Sequence, residues 1–201
     1  MRCALCALCV MQATITFTAV LFVGGESRRM GADKATLLFE DEPLWSRQLR
    51  TLRELSPEKI LVSARTKPSW CPPEIETVLD EPPSRGPLSG LAAALKKITT
   101  THLLVLAVDM PWMTLTHLRW LQSQSVPGVG VMPVLRGHCE PLCAIYPVES
   151  SGLAQAALNS EDVSVKFFIA KLRQKKLLCD CEIDASWARF YHNANTPEDL
   201  L

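Results

Sequence analysis

The sequence predicts a single α/β domain of three layers with a mainly parallel central sheet, and three observations carry that prediction. Short apolar segments rich in β-branched and aromatic residues alternate with segments of helical spacing, the pattern of strand–helix–strand crossovers. The run HLLVLAVD, residues 102–109, is almost continuously apolar up to its terminal acid, as a strand covered on both faces must be. The first apolar run is halted by Gly24-Gly25, a glycine turn at a strand exit. At 201 residues the chain can bury a core within one domain. With 48% hydrophobic and 21% charged residues it falls outside the disordered, collagenous and coiled-coil classes.

Residues 1–13 read as a flexible Cys-rich extension ahead of one domain over 14–201, and Met11 is an alternative start. Thr14, Thr16 and Thr18 interrupt the opening apolar run, so it lacks the roughly 20 apolar residues of a membrane span. A signal cleavage further on would cut the first strand, and a cytoplasmic protein is expected. Eight cysteines in a chain of this size do not demand a disulfide scaffold. Cys3, Cys6 and Cys9 have metal-like spacing but no nearby fourth ligand; Cys179 and Cys181, one residue apart, are expected on opposite faces of a strand and so are weak evidence for chelation.

Within 14–23, FTAVLFV is the first buried parallel strand. A polar loop to Lys34 precedes PLWSRQLRTLREL (43–55), a helix with Pro43 in its first turn and Leu44, Gln48, Leu52 and Leu55 on one side. KILVSA (59–64) and Ile75 to Leu79 are strands, joined by an exposed connection through Pro68, Pro72 and Pro73. Gly86, Pro87 and Gly90 lead into the crossover helix LAAALKKI (91–98), and HLLVLAVD follows. Met110-Pro111 opens a loop, and Thr114 or Thr116 caps the helix through HLRWLQSQ (117–124). VGVMPV (129–134) and PLCAIY (141–146) are strands; SSGLAQAALN (150–159) and VSVKFFIAKLRQK (163–175) are helices. In the last of these, Phe167, Phe168 and Leu172 belong to the core, and Lys166, Lys171 and Arg173, with Lys175 and Lys176, form a solvated face. In such a fold ligands meet the carboxyl ends of the strands.

Twenty-one basic residues balance 21 acidic ones, so the formal net charge is zero and a broad nucleic-acid or anionic-membrane footprint is not expected. A local positive pocket is compatible with that balance, and Arg28, Arg29 and Lys34 lie close together in sequence. They belong to the strongest cluster, GGESRRMGADK (24–34), where glycines let backbone N–H groups approach phosphates and Arg28 and Lys34 can neutralise them. It is neither the dinucleotide-binding fingerprint nor the ATPase phosphate loop. Asp109, at the exit of a buried strand, needs a bound cation or a hydrogen-bond network, and Mg2+ is the hard ion suited to one carboxylate plus triphosphate oxygens; a helix cap is the alternative. Asp80 with RGPLSG (85–90) reads as a proline-rich turn and helix start that could also contact a ligand. His138 and Cys139 precede Glu140-Pro141-Leu142 without a base and orienter, so no covalent nucleophile is expected.

These motifs together resemble the molybdenum cofactor guanylyltransferases, the MobA-like branch of the nucleotidyltransferases. That family's signature is LAGG, one residue, S, one residue, RMG, one residue, DK; here Val23 stands in place of the alanine. The similarity continues in Asp109-Met110-Pro111, in Asp80 with Gly86-Pro87-Leu88-Ser89-Gly90, in Glu140-Pro141-Leu142 and in Asn193-Ala194-Asn195-Thr196-Pro197-Glu198-Asp199-Leu200. It spans roughly residues 16 to 200 and implies a Rossmann-like nucleotidyltransferase fold. It further implies transfer of GMP from GTP to molybdopterin or its molybdenum form. Leu21, Gly24, Gly25 and Lys34 would then hold the nucleotide, with Arg28 beside the phosphates and Asp109 binding Mg2+. Ser63, Asp80, Gly86, Pro87 and Leu88 would lie on the base side, Ser63 where the family often has asparagine. Glu140, Asn193 and Asn195 would lie toward the acceptor, and molybdenum-insertion and molybdoenzyme assembly proteins would be partners. The alternatives are a cytidylyl- or sugar-phosphate nucleotidylyltransferase, or a non-catalytic nucleotide-binding partner in molybdoenzyme assembly.

Overall fold

The computed structural model describes residues 14–23, 33–80, 84–194 and 196–200. The readings of residues 1–13, of Gly24, Gly25, Arg28 and Arg29, and of Asn195 lie outside these described residues. β1 (Phe17–Phe22) runs parallel to β4 (Lys59–Ala64) on one side and to β6 (His102–Ala107) on the other. β5 (Glu76–Leu79) extends the sheet past β4. Past β6 the order continues through β9 (Ile145–Pro147), β7 (Gly130–Leu135) and β10 (Leu178–Glu182), with β8 (His138–Cys139) also paired to β7. Only β8 and β9 run antiparallel to their neighbours.

This α/β architecture places the crevice. From β1 the chain steps outward to β4 and β5 and then crosses to the other side of β1 to form β6. Ligands of open α/β sheets bind where the strand order reverses in this way, here at the carboxyl ends of β1 and β6. Both strands are apolar because each face is covered. Ala19, Leu21, Leu104 and Leu106 pack under α1 (Leu44–Glu54), α3 (Leu115–Ser123) and the C-terminal segment. Val20, Phe22, Leu103 and Val105 pack under α2 (Pro87–Lys97), α4 (Ser151–Leu158) and α5 (Val165–Gln174).

Most expected elements are present with shifted ends. Helix α2 begins at Pro87 rather than Leu91, using the proline as its first residue. Pro43 precedes α1 in an extended conformation instead of lying within its first turn. Thr114, not Thr116, caps α3, accepting the His117 N–H at 3.2 Å. PLCAIY is strand only from Ile145, because Glu140 to Cys143 close a turn through a 3.0 Å bond from Cys143 N–H to the Glu140 carbonyl. The basic residues of α5 are exposed, whereas Phe168 and Leu172 are fully buried. An unforeseen hairpin, β2 (Leu38–Phe39) with β3 (Glu42–Pro43), turns at Glu40 and Asp41, at φ 51° and 62°. Two successive positive φ values are usual for Asn-Gly, so Glu-Asp hides this turn from sequence reading. Cys179 and Cys181 share one face of β10 rather than opposite faces, because side chains two residues apart in a strand point the same way, and both are free thiols.

Candidate active site

Two charged residues meet at the crevice. Lys34 opens a short 3-10 turn (Lys34–Thr36) whose geometry Asp33 sets: its carboxylate accepts the Ala35 N–H at 3.0 Å and the Trp70 indole N–H at 2.9 Å. Trp70 in turn stacks on Trp45 of α1 at 5.0 Å. This anchoring directs Lys34 Nζ to 3.9 Å from Asp109 Oδ2, and the two side chains are 22% and 24% exposed. Burial pushes the Asp109 carboxyl above its ordinary range; the Lys34 ammonium and a local backbone N–H oppose that shift without reversing it. The pair is therefore a partly desolvated anion with a cation 3.9 Å away.

The loop after β6 is clamped from three sides. The Ala194 N–H donates to the Asp109 carbonyl at 2.8 Å, joining the C-terminal motif to the strand exit. Gln48, fully buried on α1, donates its amide to the Met110 carbonyl, and Arg47 donates Nε to the Pro111 carbonyl at 2.9 Å. Arg47 also binds Glu40 at 2.9 Å and lies over the Phe39 ring, tying the β2–β3 hairpin to the same loop. The segment leading to Ala194 is held from below, where Tyr191 OH and His117 Nε2 are hydrogen-bonded at 2.7 Å among Trp120, Trp187 and Phe190. Burial lowers His117 from 6.5 to about 4, so it is neutral at ordinary pH.

The other expected residues fall into two groups along the sheet end. Asp80 follows β5, its N–H bonded to the Ala64 carbonyl at 3.3 Å and its carboxylate accepting Ser84 Oγ at 2.6 Å. Gly86, at φ 74°, and exposed Pro87 form the adjacent start of α2. Leu21, Ser63 and Leu88 turn their side chains into the interior instead. Ser63 is 2% exposed and faces Gly90, where an added Cβ would stand 2.5 Å from its hydroxyl. Its carbonyl accepts the Val23 N–H at 3.0 Å, so Ser63 braces the strand leading to residue 24. On the β9 side, Glu140 is half-buried with its carboxyl raised by burial, and Asn193 is exposed next to Ala194. Cys139 accepts a 3.0 Å contact from Arg173, and burial raises the Cys143 thiol strongly.

The carboxyl end of β1, the aspartate exit and the segment at Ala194 thus converge on one crevice. The signature of a MobA-like NTP transferase domain matches residues 19–176. The chain belongs to the MobA-like NTP transferase family. It is 36% identical over 184 residues to a probable molybdenum cofactor guanylyltransferase of Opitutus terrae, covering 89% of this chain and 90% of that one. Molybdopterin-guanine dinucleotide biosynthesis protein A of Archaeoglobus fulgidus has the same fold, with a TM-score of 0.68 at 19% identity over 91% of this chain and 94% of that one. So has 4-diphosphocytidyl-2C-methyl-D-erythritol synthase of Anaerococcus prevotii, with a TM-score of 0.70 at 9% identity over 92% and 93% of the chains. One fold is thus shared by differently named proteins, and the fold alone leaves the base unassigned.

Sequence reading did not assign site roles to Asp33, Arg47, Gln48 and His117. Asp33 and Arg47 are polar residues whose partners are distant in sequence or across a turn. Gln48 had a signal, a lone amide on an otherwise apolar helix face. Among the described residues no three His, Cys, Asp or Glu side chains form a metal cage, and no helix is long and apolar enough to cross a membrane.

Proposed function

We propose that this MobA-like nucleotidyltransferase transfers GMP from GTP to the terminal phosphate of molybdopterin or its molybdenum-loaded form, releasing pyrophosphate. The observation that carries the reading is the meeting of Lys34, Asp109 and the Asn193–Ala194 segment at the strand-order reversal. The similarity to probable molybdenum cofactor guanylyltransferases supports this acceptor and base. From Asp109 to Asp80 the sheet steps through β6, β1, β4 and β5, three inter-strand spacings or roughly 14 Å. That span suits a nucleoside triphosphate laid across the strand ends, with phosphates at Lys34 and base at Asp80.

An acceptor phosphate oxygen attacks the α-phosphorus; a new P–O bond forms as the bond to the β-phosphate oxygen breaks. A phosphate monoester is largely dianionic near neutral pH, so no protein base is needed, and alignment with charge neutralisation carries the step. Lys34 stabilises charge on the triphosphate, joined by Arg28 and the Gly24-Gly25 backbone as the family resemblance assigns. Asp109 fits Mg2+ as a partly buried carboxylate with its charge incompletely offset, and the ion would supply further neutralisation of the phosphates. Asp80 and the 86–88 turn accept and shape the guanine edge. Glu140 and Asn193, with Asn195 as the family resemblance assigns, would contact the acceptor, and assembly proteins of molybdoenzymes would receive the product.

Mass analysis of products after incubation with Mg2+, molybdopterin and each of GTP, CTP and ATP tests this reading. The guanine dinucleotide should form with GTP, and Lys34→Ala and Asp109→Asn should abolish it while circular dichroism stays unchanged. Transfer from CTP in preference to GTP, or to a sugar phosphate but not to molybdopterin, would refute it.

A further inference from the structure

Beside the crevice lies a cavity of about 360 Å3 lined by Trp112, Ala188, Arg189, His192 and Asp199. Its walls are covalently close to the reacting centre. Trp112 is three residues beyond Asp109, and His192 is two residues before Ala194, whose N–H holds the Asp109 carbonyl. Three residues of chain span at most about 10 Å, so a molecule with its phosphate at Lys34 and Asp109 has this cavity within reach.

The lining is chemically selective. The Arg189 guanidinium stands 5.7 Å from the centre of the Trp112 ring, and the His192 ring meets Trp112 at 5.2 Å. Arg189 is exposed and forms no ion pair among the described residues, whereas Arg47, Arg50, Arg53 and Arg173 each hold a carboxylate. Trp112 Nε1 is buried with no acceptor among the described residues. Asp199 at the rim is engaged locally, accepting the Thr196 N–H at 2.8 Å. Aromatic and guanidinium planes favour a flat ring, and Arg donors favour ring carbonyl or nitrogen acceptors.

We propose that this cavity holds the planar heterocycle of the phosphoryl acceptor and that Arg189 is its specificity-determining residue. The inference rests on the acceptor reading above and adds to it a ring subsite whose lining residues that reading gave no role. The nucleotide's own base has similar chemistry, but Asp80 lies at the opposite end of the crevice. The test therefore measures both ligands. Isothermal titration with 6-hydroxymethylpterin phosphate and, separately, with GTP is run on the parent, Arg189→Ala and Arg189→Lys; steady-state KM values for molybdopterin and GTP are taken in parallel.

The parent should bind the pterin phosphate, Arg189→Ala should weaken it at least tenfold, and Arg189→Lys should recover only part of the loss. Affinity and KM for GTP should stay within twofold. Equal pterin affinity in parent and Arg189→Ala, no pterin binding by the parent, or a loss confined to GTP would each overturn the subsite. Parent enzyme that makes no guanylylated product would instead count against the acceptor reading, which the product assay reports independently of these titrations.

Discussion

Lowering the pH should loosen the C-terminal segment through one buried histidine. His117 is 3% exposed, bonded to Tyr191 OH at 2.7 Å, and its Nδ1 is buried with no partner among the described residues. The fold holds it at about 4 against 6.5 when free, purely through burial. The unfolded chain therefore takes up the proton first: the stabilisation is full above about pH 6.5 and is lost as pH falls toward 4. At pH 5, about 1.5 units below the free value, the loss is about 2 kcal/mol. Asp109 and Glu140 are shifted upward and contribute with the opposite sign, while His102 is shifted downward by burial and adds to the loss. Urea unfolding of parent and His117→Gln at pH 7 and pH 5 isolates the term, because the other groups cancel in the double difference. The parent should lose about 2 kcal/mol more than the variant between the two pH values. Equal losses would refute the assignment of this acid sensitivity to His117.

Three further outcomes are expected. Gln48→Leu removes the donor that holds the Met110 carbonyl, so it should cost about 1–3 kcal/mol in unfolding free energy. It should also raise the Mg2+ concentration for half-maximal turnover, while metal-free GTP binding, followed by titration calorimetry, stays unchanged. Asp80→Asn should narrow the preference for GTP over ATP and CTP by about 1–3 kcal/mol in competition assays; an unaltered preference would move base recognition to the 86–88 turn. Gly90→Ala would put its Cβ 2.5 Å from Ser63 Oγ and 2.8 Å from Phe22 Cε1, so thermal unfolding should show a loss of about 1–3 kcal/mol that Ser63→Ala partly restores. Undiminished stability in the single variant would show that α2 moves away from the sheet freely.

The layers of this protein, and the sheet end at which its motifs gather, were legible in its sequence. A strand covered on both faces must be apolar throughout, so HLLVLAVD announced both its central place and the acid at its exit. Helical spacing in PLWSRQLRTLREL and VSVKFFIAKLRQK revealed which faces would be buried, and short motifs carried the family resemblance because their spacing is local. Which motifs share a crevice depends on contacts between distant segments. The bond from Ala194 to Asp109 and the clamp of Gln48 on Met110 join segments far apart in the chain, and no local periodicity encodes such pairings. The hairpin at Glu40-Asp41 escaped for the reverse reason: its turn needs positive φ at two residues that have no strong preference for it. Ser63, Leu21 and Leu88 show the same limit from the side of burial, since adjacency to a binding motif in sequence does not say whether a side chain points to the cleft or to the core.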